Sequence, residues 1–160
     1  MHWLKVIVLM FLGCSVSLAA PCLNGHPTSA EEYKQRPYVL TAKVLSSTSI
    51  ADSEDGWFFA GTNYKLEPLE KLKGNVPEPL IIFSENSSGQ FQMEVGRTYL
   101  LFLYQENGRL LVDSCGTSGL VESVKANLKE IRALSASRVR HGDSSKIVDK
   151  GRSEEPVAGR

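Results

Sequence analysis

The stretch VGRTYLLFLYQENGRLLVDSC, residues 95–115, decides the fold. Residues 99–104 form an apolar, aromatic-rich run of strand length, and Leu110, Leu111 and Val112 form a second. Between them stands Gln105-Glu106-Asn107-Gly108, and an Asn-Gly pair flanked by two apolar runs is the strongest short signal of a β-hairpin. Gly96 and Arg97 punctuate the entry, and Cys115 ends the second strand. A cysteine at that point ties the hairpin to something distant in the chain.

Its partner is found by reading outward to the N-terminus. Lys5, an apolar segment over residues 6–13 and the small-residue ending Ser17-Leu18-Ala19-Ala20 describe a secretory signal peptide, residues 1–19, rather than a membrane span. Cleavage after Ala20 would leave Pro21 just past the cut, a poor residue there. Cleavage after Ala19 puts Ser17 and Ala19 in the recognition positions and is favoured, making Ala20 the first mature residue. A competing reading takes Phe11-Leu12-Gly13-Cys14 as a bacterial lipobox with a lipid on Cys14, against which stand the bulk of Leu12 and the apolar residues beyond the cysteine. The expected location is secreted or periplasmic.

Loss of residues 1–19 removes Lys5 and no acid, so a balanced chain becomes one with a single net negative charge. That balance argues against nucleic acid as a partner. It also removes Cys14, leaving Cys22 and Cys115 as an even pair in an oxidising compartment, where a disulfide is the expected state. The length suits one domain, residues 20–134, and a tail.

Along that domain, residues 20–27 read as an irregular arm pinned by Cys22. Thr28-Ser29-Ala30-Glu31 is a capping box that starts a short helix, which Arg36-Pro37 ends. Residues 38–45 predict a strand burying Leu40, Ala42 and Val44. Residues 46–55, with Asp52, Glu54 and Asp55, predict a solvated loop that the apolar Trp57, Phe58 and Phe59 interrupt. A strand follows from Asn63, in which Pro68 indicates an edge or a bulge. Residues 73–79 are a turn, 80–83 a buried strand and 84–90 a second polar loop. After Cys115, apolar residues from Leu120 to Leu134 recur at spacings of three and four, which predicts an amphipathic helix over 119–133 capped by Ser118 or Gly119. Residues 135–160 are mostly charged, serine or glycine with few large apolar side chains, and predict a disordered polar tail. Short strands with few helices imply a mainly β fold, a small barrel or sandwich with a short N-terminal helix and a C-terminal amphipathic helix.

Enzyme constellations are missing from the sequence. It contains no H-E-x-x-H, C-x-x-C or G-x-S-x-G, and once His2 goes with the leader and His141 is assigned to the tail, His26 alone could serve as a base or metal ligand. Gly116-Thr117-Ser118-Gly119 lacks the lysine of a phosphate-cradling loop. An exported binding module that is not an enzyme and needs no cofactor is the expected class.

Several residues in order carry a resemblance. They are Cys22, His26-Pro27 shortly after it, residues 39–45 with their Ala-Lys-Val centre, Tyr64 ahead of Lys73-Gly74, Gly96 with the apolar strand to Leu103, and residues 110–115 ending in Cys115. In this order and spacing the chain, over about residues 20–134, resembles the netrin-like domain of the tissue inhibitors of metalloproteinases. The resemblance implies a five-stranded barrel of the oligonucleotide/oligosaccharide-binding (OB-fold) type and inhibition of a zinc metalloprotease. In that family the α-amine and carbonyl of the first residue chelate the protease zinc and the second side chain enters the specificity pocket. Carried over, Ala20 would chelate, Pro21 would enter the pocket, and the Cys22–Cys115 disulfide would hold the arm. Ala20 stands where the family has a cysteine, and residues 84–90 contain no cysteine to pair with one. The alternative is a non-inhibitory netrin-like module that binds matrix, envelope or signalling proteins through loops 46–60 and 84–90, with Trp57, Phe58 and Phe59 as contacts. Asn86-Ser87-Ser88 is a candidate N-glycosylation sequon within the second loop.

Overall fold

The computed structural model describes Cys22, residues 25–52 and residues 58–149, with side chains through residue 138. Its elements are α1 (Ser29–Gln35), β1 (Tyr38–Ala51), β2 (Phe59–Lys73), β3 (Leu80–Glu85), β4 (Thr98–Glu106), β5 (Arg109–Val112), β6 (Gly119–Leu120) and α2 (Lys125–Asp149). The hairpin at the centre of the sequence forms as its turn residues require. Glu106 pairs with Arg109, so Asn107 and Gly108 are the whole loop, and both have positive φ, 49° and 76°. A two-residue turn with both φ values positive matches the twist of the flanking strands.

Five strands close into a ring. β1 pairs antiparallel with β2 and with β4, β2 with β3, and β4 with β5, while β3 meets β5 in parallel at Ile82 and Leu110. The short β6 adds to β4 beside Tyr99 and Leu100. The mainly β expectation, with a short first helix and a C-terminal helix, is what the chain forms.

The side-chain period of two explains why β4 is apolar throughout. Tyr99, Leu101 and Leu103 point into the ring, where they pack with Leu40, Ala42, Val44 and Ile82. Leu100 and Phe102 point outward into a second cluster with Tyr33 of α1, Val39, Leu72, and Leu128 and Ile131 of α2. Both faces of the strand are therefore covered, and a continuous apolar run replaces the alternation of a half-exposed strand.

The structure corrects two sequence readings. Residues 46–51 are not a loop but the outer half of β1, paired with residues 59–65 of β2 beyond a register shift between Val44 and Ser46. These residues leave the ring, so their side chains are mostly exposed and no apolar alternation marks them. The C-terminal helix begins at Lys125 rather than Gly119, because Gly119 and Leu120 pair with β4 and the Ser118 hydroxyl accepts from Phe102 N instead of capping a helix. Its backbone then continues past residue 134 to Asp149, into the stretch expected to be disordered. At the start of that extension Ser135 Oγ donates to Leu72 O at 2.7 Å, fastening the helix to the end of β2. Pro68 behaves as its missing N–H dictates: it lies beyond the residues of β2 that β3 pairs, next to a register shift of β1. Among the described residues no helix is long and apolar enough to cross a membrane.

Candidate functional site

Cys22 and Cys115 form a disulfide, with Cα atoms 5.8 Å apart, across 93 residues of chain. Gly25 N donates to Cys22 O at 2.9 Å and turns the chain back immediately after the bridge. His26 Nδ1 lies 3.0 Å from Cys115 O, and because a carbonyl can only accept, Nδ1 is the donor. The histidine that the sequence offered as a base or ligand thus fixes the arm to the bridge. Ala20, Pro21, Trp57 and Cys14 lie outside the described residues.

Beneath the arm, α1 holds the Cys115 loop with charged groups. The helix starts as its capping box requires, Glu31 N donating to Thr28 Oγ1 while Thr28 N donates to Glu31 Oε2. One turn on, Arg36 Nη2 donates to Asp113 Oδ2 at 2.6 Å, and the other oxygen of Asp113 accepts from Cys115 N at 2.9 Å. The Arg36 guanidinium also lies 4.9 Å from the centre of the Tyr104 ring. Burial, followed by the nearby Asp113 carboxylate, pushes the Tyr104 hydroxyl up from its usual pKa, keeping it neutral. Glu32 is fully buried. Its Oε2 accepts from Thr117 N at 2.6 Å and from Thr117 Oγ1 at 2.7 Å, while its Oε1 lies 3.6 Å from Arg36 Nε without a hydrogen bond. A Cβ at position 116 would run into this carboxylate, so Gly116 lets the loop settle on it. Sequence reading missed Glu32, Arg36 and Asp113; the available signal was the four-residue spacing of Glu32 and Arg36 on one helix face.

The two loops expected as contacts meet each other. Asn86 N donates to Ala60 O at 2.9 Å and Asn86 Nδ2 to Phe59 O at 2.8 Å, so the residue of the sequon clasps the start of β2. Across the β1–β2 hairpin Asp52 N donates to Phe58 O at 2.7 Å. Phe58 is 67 % and Phe59 39 % exposed, large apolar side chains at the hairpin's end. The loop after Asn86 folds on itself through Ser87, whose carbonyl accepts from Gln90 N, and then reaches the cysteine-bearing turn. A Cβ at Gly89 would lie 3.5 Å from Ser114 Oγ, the residue before Cys115.

Phe58 and Phe59, the 86–90 loop, Ser114 and the Cys22–Cys115 bridge therefore follow one another along a single edge of the molecule. A hollow of about 590 Å³ opens beside the bridge, lined among others by His26, Glu31, Arg36 and Asp113. Among the described residues no group of three His, Cys, Asp or Glu side chains is placed to hold a metal ion. No protein-family model matches the chain, and no curated protein matches it.

Proposed function

We propose that the protein is an exported protein-binding module of the netrin-like type that inhibits a zinc endopeptidase with its processed N-terminus, Ala20-Pro21-Cys22. The observation that supports this reading is the continuity of the edge: the Cys22–Cys115 disulfide lies on the same edge as the 86–90 loop and the exposed Phe58 and Phe59. An α-amine has an ordinary pKa of about 7.7–8.0, so its neutral, metal-binding form is available near neutral pH. Tethering within three residues of the terminus reduces the ordering needed when the arm docks, which favours affinity. Exposed aromatic side chains next to such an arm are the residue type that dominates protein–protein contacts.

The test is inhibition of a panel of zinc endopeptidases by protein beginning at Ala20 and by the same protein acetylated at its α-amine. Inhibition by the free amine alone is the expected result. Equal inertness of both preparations discards the inhibitory reading.

A second reading keeps the same edge as a binding surface for a matrix, envelope or signalling protein, with no inhibition. It is favoured by the exposure of Phe58 at the end of a hairpin that projects beyond the ring. Under this reading Phe58→Ser abolishes partner binding and acetylation of the α-amine leaves it intact.

A further inference from the structure

Away from the arm, where β2 runs out between the two helices, three cations gather. Lys73, the last residue of β2, sends its ammonium to the end of α1, where it donates to Tyr33 O at 2.6 Å and Lys34 O at 3.0 Å. These carbonyls belong to the last turn of the helix, which has no further amides to satisfy them. Two of the three Lys73 donors are used in this way, and the ammonium also lies 5.3 Å from the centre of the Tyr33 ring. Neither carbonyl carries a formal charge, and among the described residues Lys73 has no carboxylate partner. Burial, and then the positive charge of Arg138 on α2, push its pKa down.

Arg138 likewise forms no ion pair with any described residue, unlike Arg132 six residues earlier on α2, whose guanidinium is held by Glu70 at 2.7 Å. Lys71 is the third cation; its Nζ lies 3.8 Å from Oε1 of Glu78, whose side chain is mostly in solvent. Lys71, Lys73 and Arg138 line a hollow of about 430 Å³ together with Asn75, Tyr33 and Ser135, and among the described residues no acidic side chain is in its wall. The hydroxyls of Tyr33 and Ser135 both donate to Leu72 O, so the groups left to meet a ligand are the three cations and the Asn75 amide.

We propose that this hollow binds a tetrahedral oxyanion, the sulfate or phosphate group of a small ester. Lys73 and Arg138, which have no carboxylate partner among the described residues, call for an anion. Tetrahedral oxyanions also offer several acceptors, which suits donors arriving from a strand end, a turn and a helix. The hollow is open to solvent and has room for more than a bare ion. The site is independent of the arm and stands whether or not the protein inhibits a protease.

The test is calorimetric titration of the full mature chain at constant ionic strength with inorganic sulfate, a monosaccharide sulfate and acetate. Saturable one-site binding of sulfate or the sugar sulfate, with acetate much weaker, is expected. Tighter binding of the sugar sulfate identifies an ester as the ligand, and equal binding of the two identifies the free ion. Arg138→Gln, at an exposed position, should weaken binding about fivefold, the scale of one partly solvated charge contact. Arg132→Gln, outside the hollow, should leave it unchanged. Absence of saturable binding, acetate binding as tight as sulfate, or indifference to both Arg138→Gln and Lys71→Gln overturns the assignment.

Discussion

Two adjacent glutamates in α1 show how differently one residue type can act. Glu31 is exposed and caps its own helix, and the Thr28 backbone and hydroxyl hold its carboxyl below the ordinary value. A carboxyl depressed by folding stabilises the native state fully above its unfolded pKa, and this contribution is lost as pH falls through the folded one. Glu31→Gln should therefore flatten the acid limb of stability against pH, below the usual carboxylate range, in thermal melts between neutral and acid pH. Glu32 is buried and joins α1 to Thr117, 85 residues away. Glu32→Ala would leave Thr117 N and Thr117 Oγ1 without their acceptor and Arg36 without the carboxylate beside it, and should cost about 3 kcal/mol in urea unfolding. Glu32→Gln keeps one acceptor oxygen and should cost less. The Thr28–Glu31 pair was legible because both partners lie within four residues. Nothing in the local sequence separates Glu32 from Glu31, because its burial is decided by a loop that arrives from the far end of the domain.

At the scale of elements, the β4–β5 hairpin was legible for the same reason: Asn107-Gly108 fixes the turn, and the turn fixes the register. The outer half of β1 was not, since residues 46–51 have solvent on both faces and gain their strand geometry only from pairing with β2. The helix start was misread because Leu120 and Val121 continue the apolar spacing of α2 while lying ahead of it, one in β6 and the other packed on the second cluster. Periodicity detects a buried side chain without saying which element buries it. At Gly61 the backbone of β2 approaches β3 closely. A Cβ at Gly61 would strike the Ser84 carbonyl and come 2.6 Å from the Phe83 ring. Gly61→Ala should accordingly destabilise the protein by about 2 kcal/mol, read as a lower urea midpoint, because neither backbone nor a buried ring can give way cheaply.

Over the whole molecule, one covalent link joins the arm to the turn after the last strand of the ring, and the polar clamp from α1 holds the same turn from beneath. In the chain-entropy view a bridge across 93 residues stabilises the fold, by about 4–5 kcal/mol. The double variant Cys22→Ser/Cys115→Ser should lose stability on that scale in urea, and it should lose the ordered arm with it. The cysteine pair was legible from counting alone once the leader was set aside. The neighbourhood it creates was not, because the contacts from Phe59 to Asn86 and from Gly89 to Ser114 depend on how the ring closes. The inhibitory proposal depends most on where the mature chain begins and whether it is bridged. The intact mass of the exported protein, measured before and after reduction, reads both at once. A chain beginning at Ala20, unmodified at its amine and two hydrogens lighter before reduction than after, is the expected result. A chain that begins at Pro21 or later, retains the leader, carries a lipid on Cys14, or shows no change on reduction would contradict it.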